Sequence, residues 1–219
     1  MFEINSKMDL SLEIFRGSKI YTIDNFYSDP DEIVHLIGEI PKRLHKENAS
    51  PTYNGIYFED CRDYVYIEEL DPVYFFLSTL SGSNPTSYNF ITNVIKFKDD
   101  QFNNYETKHW WPHLDEGYTA IIYLNDNNDF ECGTNLYDIL CQEEKNVTDS
   151  IPEHFQPWRP KQKYKLIKSL KSKYNRLVFF DAKKFLHGMN ISNKIYFGDH
   201  PRMNQVLFFK SLEDFNMLG

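Results

Sequence analysis

Two stretches in the first part of the chain repeat apolar residues with the period of an amphipathic helix. The first follows a short apolar segment, residues 20–26, that is typical of a strand. It opens with Ser28-Asp29-Pro30, which supplies capping side chains and a proline suited to the first helical position. Its apolar positions recur at i, i+3, i+4 and i+7 until Pro41, where we expect the helix to end. The same pattern predicts a second helix that begins at Asp71-Pro72 and stops at Gly82.

From about residue 90 the apolar segments become short, rich in β-branched and aromatic residues, and separated by Asn, Asp and Gly. This pattern is typical of β-strands. The segments predicted as strands are residues 90–97, 105–114, 118–124, 134–137, 176–180, 195–197 and 203–209. The polar, lysine-rich stretch between Asp138 and Lys173 is expected to be a solvated excursion with some helix.

The order of these elements, helices first and many short strands afterwards, predicts an α+β fold. Its expected core is a β-sandwich or jelly roll with the N-terminal helices packed on it. No repeat and no linker-like tract divides the chain. We therefore expect residues 1–219 to form a single domain, with a helical N-terminal support region at 1–89 and a jelly-roll catalytic core at 90–210.

Charge and cysteine content narrow the class of protein. The chain has 24 Lys and Arg against 32 Asp and Glu, for a formal net charge of -8, which disfavours sequence-independent binding to nucleic-acid phosphates. No apolar run reaches the length of a membrane span, and no basic and apolar leader pattern opens the sequence. The 3 cysteines lack Cys-x-x-Cys spacing, so neither a disulfide framework nor a thiolate zinc site is indicated. We expect a soluble, cytoplasmic protein with a small-molecule or peptide substrate, and its oligomeric state is open.

Residues that carry chemistry first come together in Trp111-Pro112-His113-Leu114-Asp115, just before a predicted strand. In an extended chain, residues two apart point to the same side, roughly 6.5 Å apart along the strand, so His113 and Asp115 can bind one ion. His-x-Asp is frequent by chance and becomes specific only with a third ligand. His187, shortly after the predicted strand 176–180, supplies that ligand. Two histidines and one carboxylate on a β scaffold form the facial triad of non-haem Fe(II) oxygenases.

Arg202, at the start of the last predicted strand, is the candidate anion-binding residue. A guanidinium presents a rigid fork of donors that matches a carboxylate, which suits it to the far end of a dicarboxylate cosubstrate. Other cations are close enough in sequence to compete for this role. They are Arg176, Lys183, Lys184 and Lys194.

Taken in order, these residues resemble the catalytic half of Fe(II)- and 2-oxoglutarate-dependent dioxygenases of the prolyl-hydroxylase-like group. The resemblance covers roughly residues 90–210 and includes His113-x-Asp115, Tyr123-Leu124-Asn125 and His187. In addition, Cys132-Gly133-Thr134 is similar to a Gly-Gly-Thr turn of that group, and Arg202-Met203-Asn204 is similar to its Arg-x-Ser or Arg-x-Thr. The sequence departs from the group at Cys132, which replaces a glycine, and at Asn204, where a hydroxyl residue is common.

The resemblance implies a double-stranded β-helix and an enzyme that uses Fe(II), 2-oxoglutarate and O₂. The implied reaction is hydroxylation of an unidentified peptidyl residue or small molecule, with formation of succinate and CO₂. The implied metal ligands, which would also be the catalytic residues, are His113, Asp115 and His187. The implied cosubstrate-binding residues are Arg202, Tyr123, Asn204 and Thr134. A non-catalytic jelly roll with a binding or structural role is the alternative hypothesis, and a metal-dependent hydrolase is a third.

Aromatic residues make up 16% of the chain. Several of them precede the segment His113-Leu114-Asp115, which is called the metal motif below. A substrate pocket is expected near this group, which consists of Tyr53, Tyr57, Phe58, Tyr105, Trp110 and Trp111. His109 is expected to be an ordinary hydrogen-bonded histidine, and Cys132 to be structural because no basic residue beside it would activate its thiol.

Overall fold

The computed structural model describes residues 2–39, 43–44, 59–60, 67–82, 85–95, 106–126, 132–140, 158–191 and 202–211. Its helices are Pro30–Glu39 (α1) and Ile67–Ser81 (α2), with a 3-10 turn at Lys161–Lys163. Its strands up to the metal motif are Asp9–Phe15 (β1), Ser18–Asp24 (β2), Arg43–Leu44 (β3), Glu59–Asp60 (β4), Pro85–Ile95 (β5) and Lys108–Trp110 (β6). The later strands are Tyr118–Tyr123 (β7), Thr134–Ile139 (β8), Trp158–Pro160 (β9), Tyr164–Leu170 (β10), Arg176–Asp181 (β11), Leu186–Met189 (β12) and Arg202–Ser211 (β13).

Two sheets organise the described residues. A 6-stranded sheet has the order β1-β2-β11-β7-β13-β5, and a 3-stranded sheet has the order β10-β8-β12. Two short ladders, β3-β4 and β6-β9, lie outside them. All strand pairings among the described residues are antiparallel. The coarse prediction of a β-rich fold with two helices is therefore confirmed for the described part of the chain.

The 6-stranded sheet separates two hydrophobic cores because successive side chains of a strand point to opposite faces. On one face, Ile33 and Ile37 of α1 and Val73 and Leu77 of α2 pack against residues such as Phe179 of β11. On the other face, β-strand residues pack against the smaller sheet. This second core contains Ile20, Ile121, Tyr123, Val178, Phe180 and Val206 from the large sheet, with Leu136 and Leu170 from the small one. The helices pack on the sheet as predicted, and the metal motif lies on the side of the small sheet.

Both predicted helices are present among the described residues, and their predicted bounds are partly wrong. Helix α1 begins at Pro30, with Asp29 Oδ1 accepting a hydrogen bond of 3.0 Å from the Glu32 backbone N–H as its cap. Helix α2 begins at Ile67, before the expected start, and contains Pro72. It ends where Gly82 adopts a left-handed φ of 72°, as the sequence predicted. None of the described helices is long and apolar enough to cross a membrane.

Most predicted strands exist, with three corrections. Strand β6 is restricted to Lys108–Trp110, so the predicted strand 105–114 is too long. The chain leaves its pairing with β9 after Trp110, and Pro112 has no backbone N–H to continue a ladder. The predicted excursion 138–173 contains β10, which pairs with β8. Residues 1–89, predicted as a helical support region, also supply β1 and β2 to the large sheet. The predicted strand 195–197 lies outside the described residues.

Candidate metal centre

Three side chains from two separate parts of the chain meet beside the small sheet. His113 and Asp115 lie between β6 and β7, and His187 lies in β12. Their candidate ligand atoms all lie within 4.8 Å of one another. His187 Nε2 is 3.1 Å from Asp115 Oδ2, and His113 Nε2 is 3.5 Å from Asp115 Oδ1. Neighbouring ligands about 2.1 Å from one ion lie about 3 Å apart, so this spacing fits a single metal ion.

The backbone holds the two histidines in register. The His113 N–H donates to the His187 carbonyl at 3.0 Å, and the His187 N–H donates to the His113 carbonyl at 2.8 Å. Gly188 makes this approach possible, because a Cβ at that position would lie 2.1 Å from the Trp110 carbonyl oxygen. The backbone N–H of Asp115 donates to the carbonyl of Ala182 at 3.2 Å, which fixes the third residue against the turn after β11. The metal motif is thus built on main-chain contacts.

Backbone carbonyls also orient both imidazole rings. His113 Nδ1 is 2.9 Å from the Trp111 carbonyl oxygen, and His187 Nδ1 is 3.1 Å from the Phe185 carbonyl oxygen. A carbonyl oxygen accepts and never donates, so each Nδ1 carries the proton. In the neutral ring, Nε2 then has the free lone pair that binds a metal. Both Nε2 atoms face Asp115, which is the arrangement that a metal site requires.

At neutral pH, His113 and Asp115 are in the charge states that metal binding requires. Burial and the nearby His187 lower the pKa of His113 to about 4, so its imidazole is neutral at pH 7. Burial raises the pKa of Asp115, but the nearby His187 Nε2, the positive charge that either histidine carries when it is protonated, and the hydroxyl of Thr119 together lower it below its usual range. Asp115 is therefore a carboxylate. A neutral imidazole and an ionised carboxylate are the ligand forms that bind a divalent cation.

Thr119, at the start of β7, holds the Asp115 carboxylate through a side-chain hydrogen bond. Its Oγ1 donates a hydrogen bond of 2.7 Å to Asp115 Oδ2. The Thr119 side chain is buried and points toward the small sheet with Ile121 and Tyr123, because residues two apart on a strand share a face. Sequence analysis did not identify this residue. The available signal was a threonine at an inward position of a strand, four residues after the proposed ligand.

Aromatic rings shield one side of the centre. The Trp111 ring stacks on His113 with a centroid distance of 4.3 Å and an interplanar angle of 16°, and Phe180 meets His187 edge-on at 5.2 Å. The side chain of His187 is 5% exposed, whereas that of His113 is 25% exposed, so access is from the His113 side. Trp110 packs edge-on against Trp158 in the interior, with a centroid distance of 5.2 Å. The remaining aromatic residues of the group expected near a substrate pocket lie outside the described residues.

A buried cation lies on the same inner face. Arg202 is 1% exposed, and its Nε and Nη2 donate long hydrogen bonds of 3.3 Å to the carbonyls of Cys132 and Gly133. Its Nη1 lies 3.4 Å from Met189 Sδ, and its Cζ lies 5.8 Å from the centre of the Tyr123 ring. Among the described residues no carboxylate forms an ion pair with it. A buried charge without a counter-ion is costly, so this guanidinium has the environment of an anion-binding group.

Polar side chains surround the guanidinium. The hydroxyls of Tyr123 and Thr134 are 2.9 Å apart and join β7 of the large sheet to β8 of the small one. Burial raises the pKa of Tyr123, against the opposing effects of Thr134 and Arg202, so the phenol is a neutral donor. Asn204 pairs with Tyr123 across the ladder, is 4% exposed, and has an Oδ1 atom without a hydrogen-bond partner. The four residues expected at a cosubstrate therefore lie on neighbouring strands and face the same interior region, between the two sheets.

Strand β12 relates this region to the metal motif. Met189 contacts Arg202 and follows His187 by two residues, so both side chains point to the same face. Two residues along an antiparallel strand span about 7 Å. A ligand with an anionic group at Arg202 and a second polar end at the histidines would therefore need a chain of a few atoms.

The alternative cations have other partners or positions. Arg176 binds Asp24 through two hydrogen bonds, of 2.5 and 3.0 Å. Lys184 is 59% exposed and pairs with Asp181 at 3.3 Å. Lys183 is half-buried, and Lys194 lies outside the described residues. Compared with these residues, Arg202 has the burial and the neighbours that anion binding requires.

Two further expectations concern residues outside the triad. His109 packs against Tyr137 with a centroid distance of 4.5 Å and an interplanar angle of 48°, and burial together with Lys161 lowers the pKa of His109 to about 4. It is not part of the metal cluster. Cys132 is buried, and its carbonyl accepts a hydrogen bond from Arg202, which agrees with a structural role.

Comparisons with known proteins give a structural likeness and no sequence match. No model of a protein family matches the sequence, and no curated protein matches it. Among solved structures, the chain is similar to a prolyl hydroxylase in complex with a hypoxia inducible factor oxygen degradation domain peptide fragment from Trichoplax adhaerens. The identity is 10%, the match covers 91% of this chain and 87% of that chain, and the TM-score is 0.43. At these values the chemistry of the site has to follow from its own residues.

Proposed function

We propose that this protein is an Fe(II)- and 2-oxoglutarate-dependent dioxygenase that hydroxylates a peptidyl residue or a small molecule. One observation carries the proposal: a triad with both Nε2 atoms directed at one carboxylate, beside a buried arginine that has no carboxylate partner among the described residues. A metal-ion site alone would fit several classes of enzyme. The buried Arg202 guanidinium on the same inner face supports the class that binds a dicarboxylate next to its metal.

The residues fit the two groups that the proposal requires. His113, Asp115 and His187 would hold the iron as a facial triad, which leaves coordination positions open for other ligands. Arg202 would bind the distal carboxylate of 2-oxoglutarate. The Tyr123 hydroxyl would add a donor there. Thr134 and Asn204 would complete the pocket, and the unpartnered Oδ1 of Asn204 is a polar atom that a ligand or a water molecule would satisfy.

The bound iron and cosubstrate supply the oxidation itself, in which O₂ hydroxylates a C–H bond while 2-oxoglutarate becomes succinate and CO₂. The protein supplies orientation and exclusion of water. The carbonyls of Trp111 and Phe185 hold both ring nitrogens in the ligating tautomer. The stacked Trp111 and the edge of Phe180 exclude solvent from two sides of the imidazoles.

The finer description of the fold belongs to the same proposal. We infer that the large and small sheets form a double-stranded β-helix, with residues 90–210 as its core and residues 1–89 as the supporting region of a single domain. Support comes from the second hydrophobic core, in which strands of both sheets pack face to face. The helices cover the opposite face of the large sheet, as a support would.

The proposal is tested by adding Fe(II) and then 2-oxoglutarate to the metal-free protein without oxygen. We expect a visible metal-to-ligand charge-transfer band that requires both components, and succinate after air is admitted. His113→Ala and Asp115→Ala should lose the band, whereas the control His109→Ala should keep it. Iron binding without a cosubstrate-dependent band would favour a metal-dependent hydrolase, and no iron binding would favour the non-catalytic jelly roll. Mass spectrometry for hydroxylated products of candidate peptides and metabolites would then identify the substrate.

A further inference from the structure

The edge of the large sheet carries an apolar stripe that the proposed reaction does not use. Strand β1 is an edge strand of the large sheet and pairs with β2 on one side. Leu10, Leu12 and Ile14 are 46%, 48% and 62% exposed. They alternate along β1, so they share one face of the strand. That face is continuous with the helix-side core, because Leu10 and Leu12 lie opposite the buried Ile23 and Tyr21.

The hairpin geometry shows which backbone groups of β1 are available. Arg16 and Gly17 have φ values of 50° and 77° and connect β1 to β2 as a two-residue turn of type I′. The residues that flank such a turn, Phe15 and Ser18, form a hydrogen-bonded pair, and bonded and non-bonded pairs then alternate. Even-numbered residues of β1 consequently direct their N–H and C=O groups away from β2. The residues with exposed apolar side chains therefore also present the outward backbone groups.

We propose that β1 pairs with β1 of a second copy of this chain, antiparallel and centred on Leu12, to form a two-fold symmetric dimer. In that register residue i lies opposite residue 24 − i. Leu12 then faces Leu12 of the second copy, and Leu10 faces Ile14. The outward N–H and C=O groups of Leu10, Leu12 and Ile14 then form hydrogen bonds with those of the second copy. The side chains of the same residues form three apolar cross-strand pairs on one face.

The opposite face of β1 is compatible with the same register. Ser11 lies opposite Glu13, and Asp9 lies opposite Phe15, so no like charges meet. Glu13 is already neutralised by Lys168, whose Nζ lies 2.9 Å from Oε1. A register centred on Ser11 would place Glu13 opposite Asp9 of the second copy, and a register centred on Glu13 would place Glu13 opposite itself, so like charges would meet in both. Self-pairing at Leu12 is therefore the arrangement that satisfies both backbone and side chains.

Edge strands of monomeric proteins usually carry a lysine, a proline or a bulge that prevents such pairing. Strand β1 has no lysine and no proline, and its ladder with β2 runs without a register shift. In the described part of the chain, no other strand covers its outer edge. A strand of 7 residues forms a contact about 24 Å long, which is a small interface. The dimer should therefore be concentration-dependent.

The test is sedimentation velocity of the full chain over a wide range of concentration. We expect the mass to rise from that of one chain, 26.1 kDa, toward twice that value. Leu12→Lys and Leu12→Glu should each remain monomeric, because like charges would face each other at the symmetry axis. An equimolar mixture of these two variants should recover a dimer. The control Phe75→Lys changes a side chain that is 77% exposed on α2, and it should dimerise as the natural sequence does.

Several outcomes would overturn the proposal. A natural chain that stays monomeric at the highest concentration would contradict the proposal. The proposal would also be wrong if such a monomer used β1 to bind an extended peptide of another protein. A dimer that persists in Leu12→Lys uses another surface. Monomeric single variants whose mixture stays monomeric would show that Leu12 does not face itself. Circular dichroism and the thermal midpoint of each variant establish that the fold is retained.

Discussion

Thr119 Oγ1 donates a hydrogen bond of 2.7 Å to Asp115 Oδ2, and this contact ties the proposed carboxylate ligand to the start of β7. The bonded oxygen also faces His187 Nε2 at 3.1 Å. Oδ1 faces His113 instead, at 3.5 Å from its Nε2. The hydroxyl thus fixes the rotation of the carboxylate between the two histidines. Residues that orient metal ligands in this way contribute to affinity without touching the ion.

We predict that Thr119→Val weakens Fe(II) binding by about 10- to 100-fold, because valine keeps the shape of the side chain and removes the donor. Thr119→Ser should restore most of the affinity. The measurement is an anaerobic competition titration with a chelator, combined with the unfolding free energy of the metal-free protein. A residue with a merely structural role would lower stability in Thr119→Val and leave the iron affinity unchanged.

Arg202 gives a second prediction, which concerns the cosubstrate rather than the metal. Arg202→Lys keeps a positive charge but loses the planar fork, so the apparent affinity for 2-oxoglutarate should fall about 10-fold or more while Fe(II) affinity stays the same. Without iron, dicarboxylates should raise the thermal midpoint of the natural protein by binding the unpaired guanidinium, and this effect should be smaller in the variant. Arg176→Lys is the control, since Arg176 already binds Asp24. An equal loss of 2-oxoglutarate affinity in Arg202→Lys and Arg176→Lys would show that the loss comes from reduced protein stability.

The sequence was sufficient to predict the elements whose patterns are local. Helix α1, β7, β8, β11 and β13 follow from apolar periodicity and turn residues, and His113, Asp115 and His187 follow from residue type and spacing. The contacts that arrange these residues were not predictable. The reciprocal backbone bonds of His113 and His187 join positions 74 residues apart (187 − 113), and no local pattern encodes that approach.

Errors in the sequence prediction have local physical causes. Helix α2 begins before Pro72, because the packing of Leu70 and Val73 against the sheet stabilises a first turn that a proline would otherwise end. Strand β10 was missed because its polar residues conceal the alternation, although Tyr164 and Leu170 are buried. Strand β1 was also missed. Its alternating Leu10, Leu12 and Ile14 before Arg16-Gly17 were a visible hairpin signal.

The close approach at Gly188 gives a third prediction. Gly188→Ala places a Cβ against the Trp110 carbonyl, whose oxygen lies 2.1 Å from that position, so β12 has to move away from the metal motif. We expect loss of the bridge between His113 and His187 and a fall of more than 10-fold in Fe(II) affinity. Gly38→Ala is the matched control, because a Cβ in that helix meets nothing within 4 Å. It should leave iron binding unchanged and alter stability by less than about 1 kcal/mol. Iron affinity that is retained in Gly188→Ala would contradict this account of the site.

The paired Asp24 and Arg176 predict a pH-dependent contribution to stability. The hydrogen bond from Arg176 is the largest effect on Asp24 and, despite partial burial, it lowers the pKa of that carboxyl below its usual value. A carboxyl with a lowered pKa in the folded state stabilises the fold above its ordinary pKa of about 3.9, and this stabilisation is lost as the pH falls through the folded value. Asp24→Asn should therefore reduce the free energy of unfolding by about 1–2 kcal/mol at pH 7.

The difference between Asp24→Asn and the natural protein should be constant from pH 8 to pH 6 and should shrink below about pH 5, because the natural carboxyl then begins to bind a proton in the unfolded chain. Urea denaturation at a series of pH values measures it. Asp138→Asn is the control, since Asp138 binds Arg16 with similar geometry but the two side chains are 39% and 48% exposed. Exposed pairs contribute little, so this variant should resemble the natural protein at every pH. A destabilisation in Asp24→Asn that stayed the same as the pH fell below the ordinary pKa of about 3.9 would show that its origin is packing, because the natural pair loses its charge-dependent stabilisation over that range.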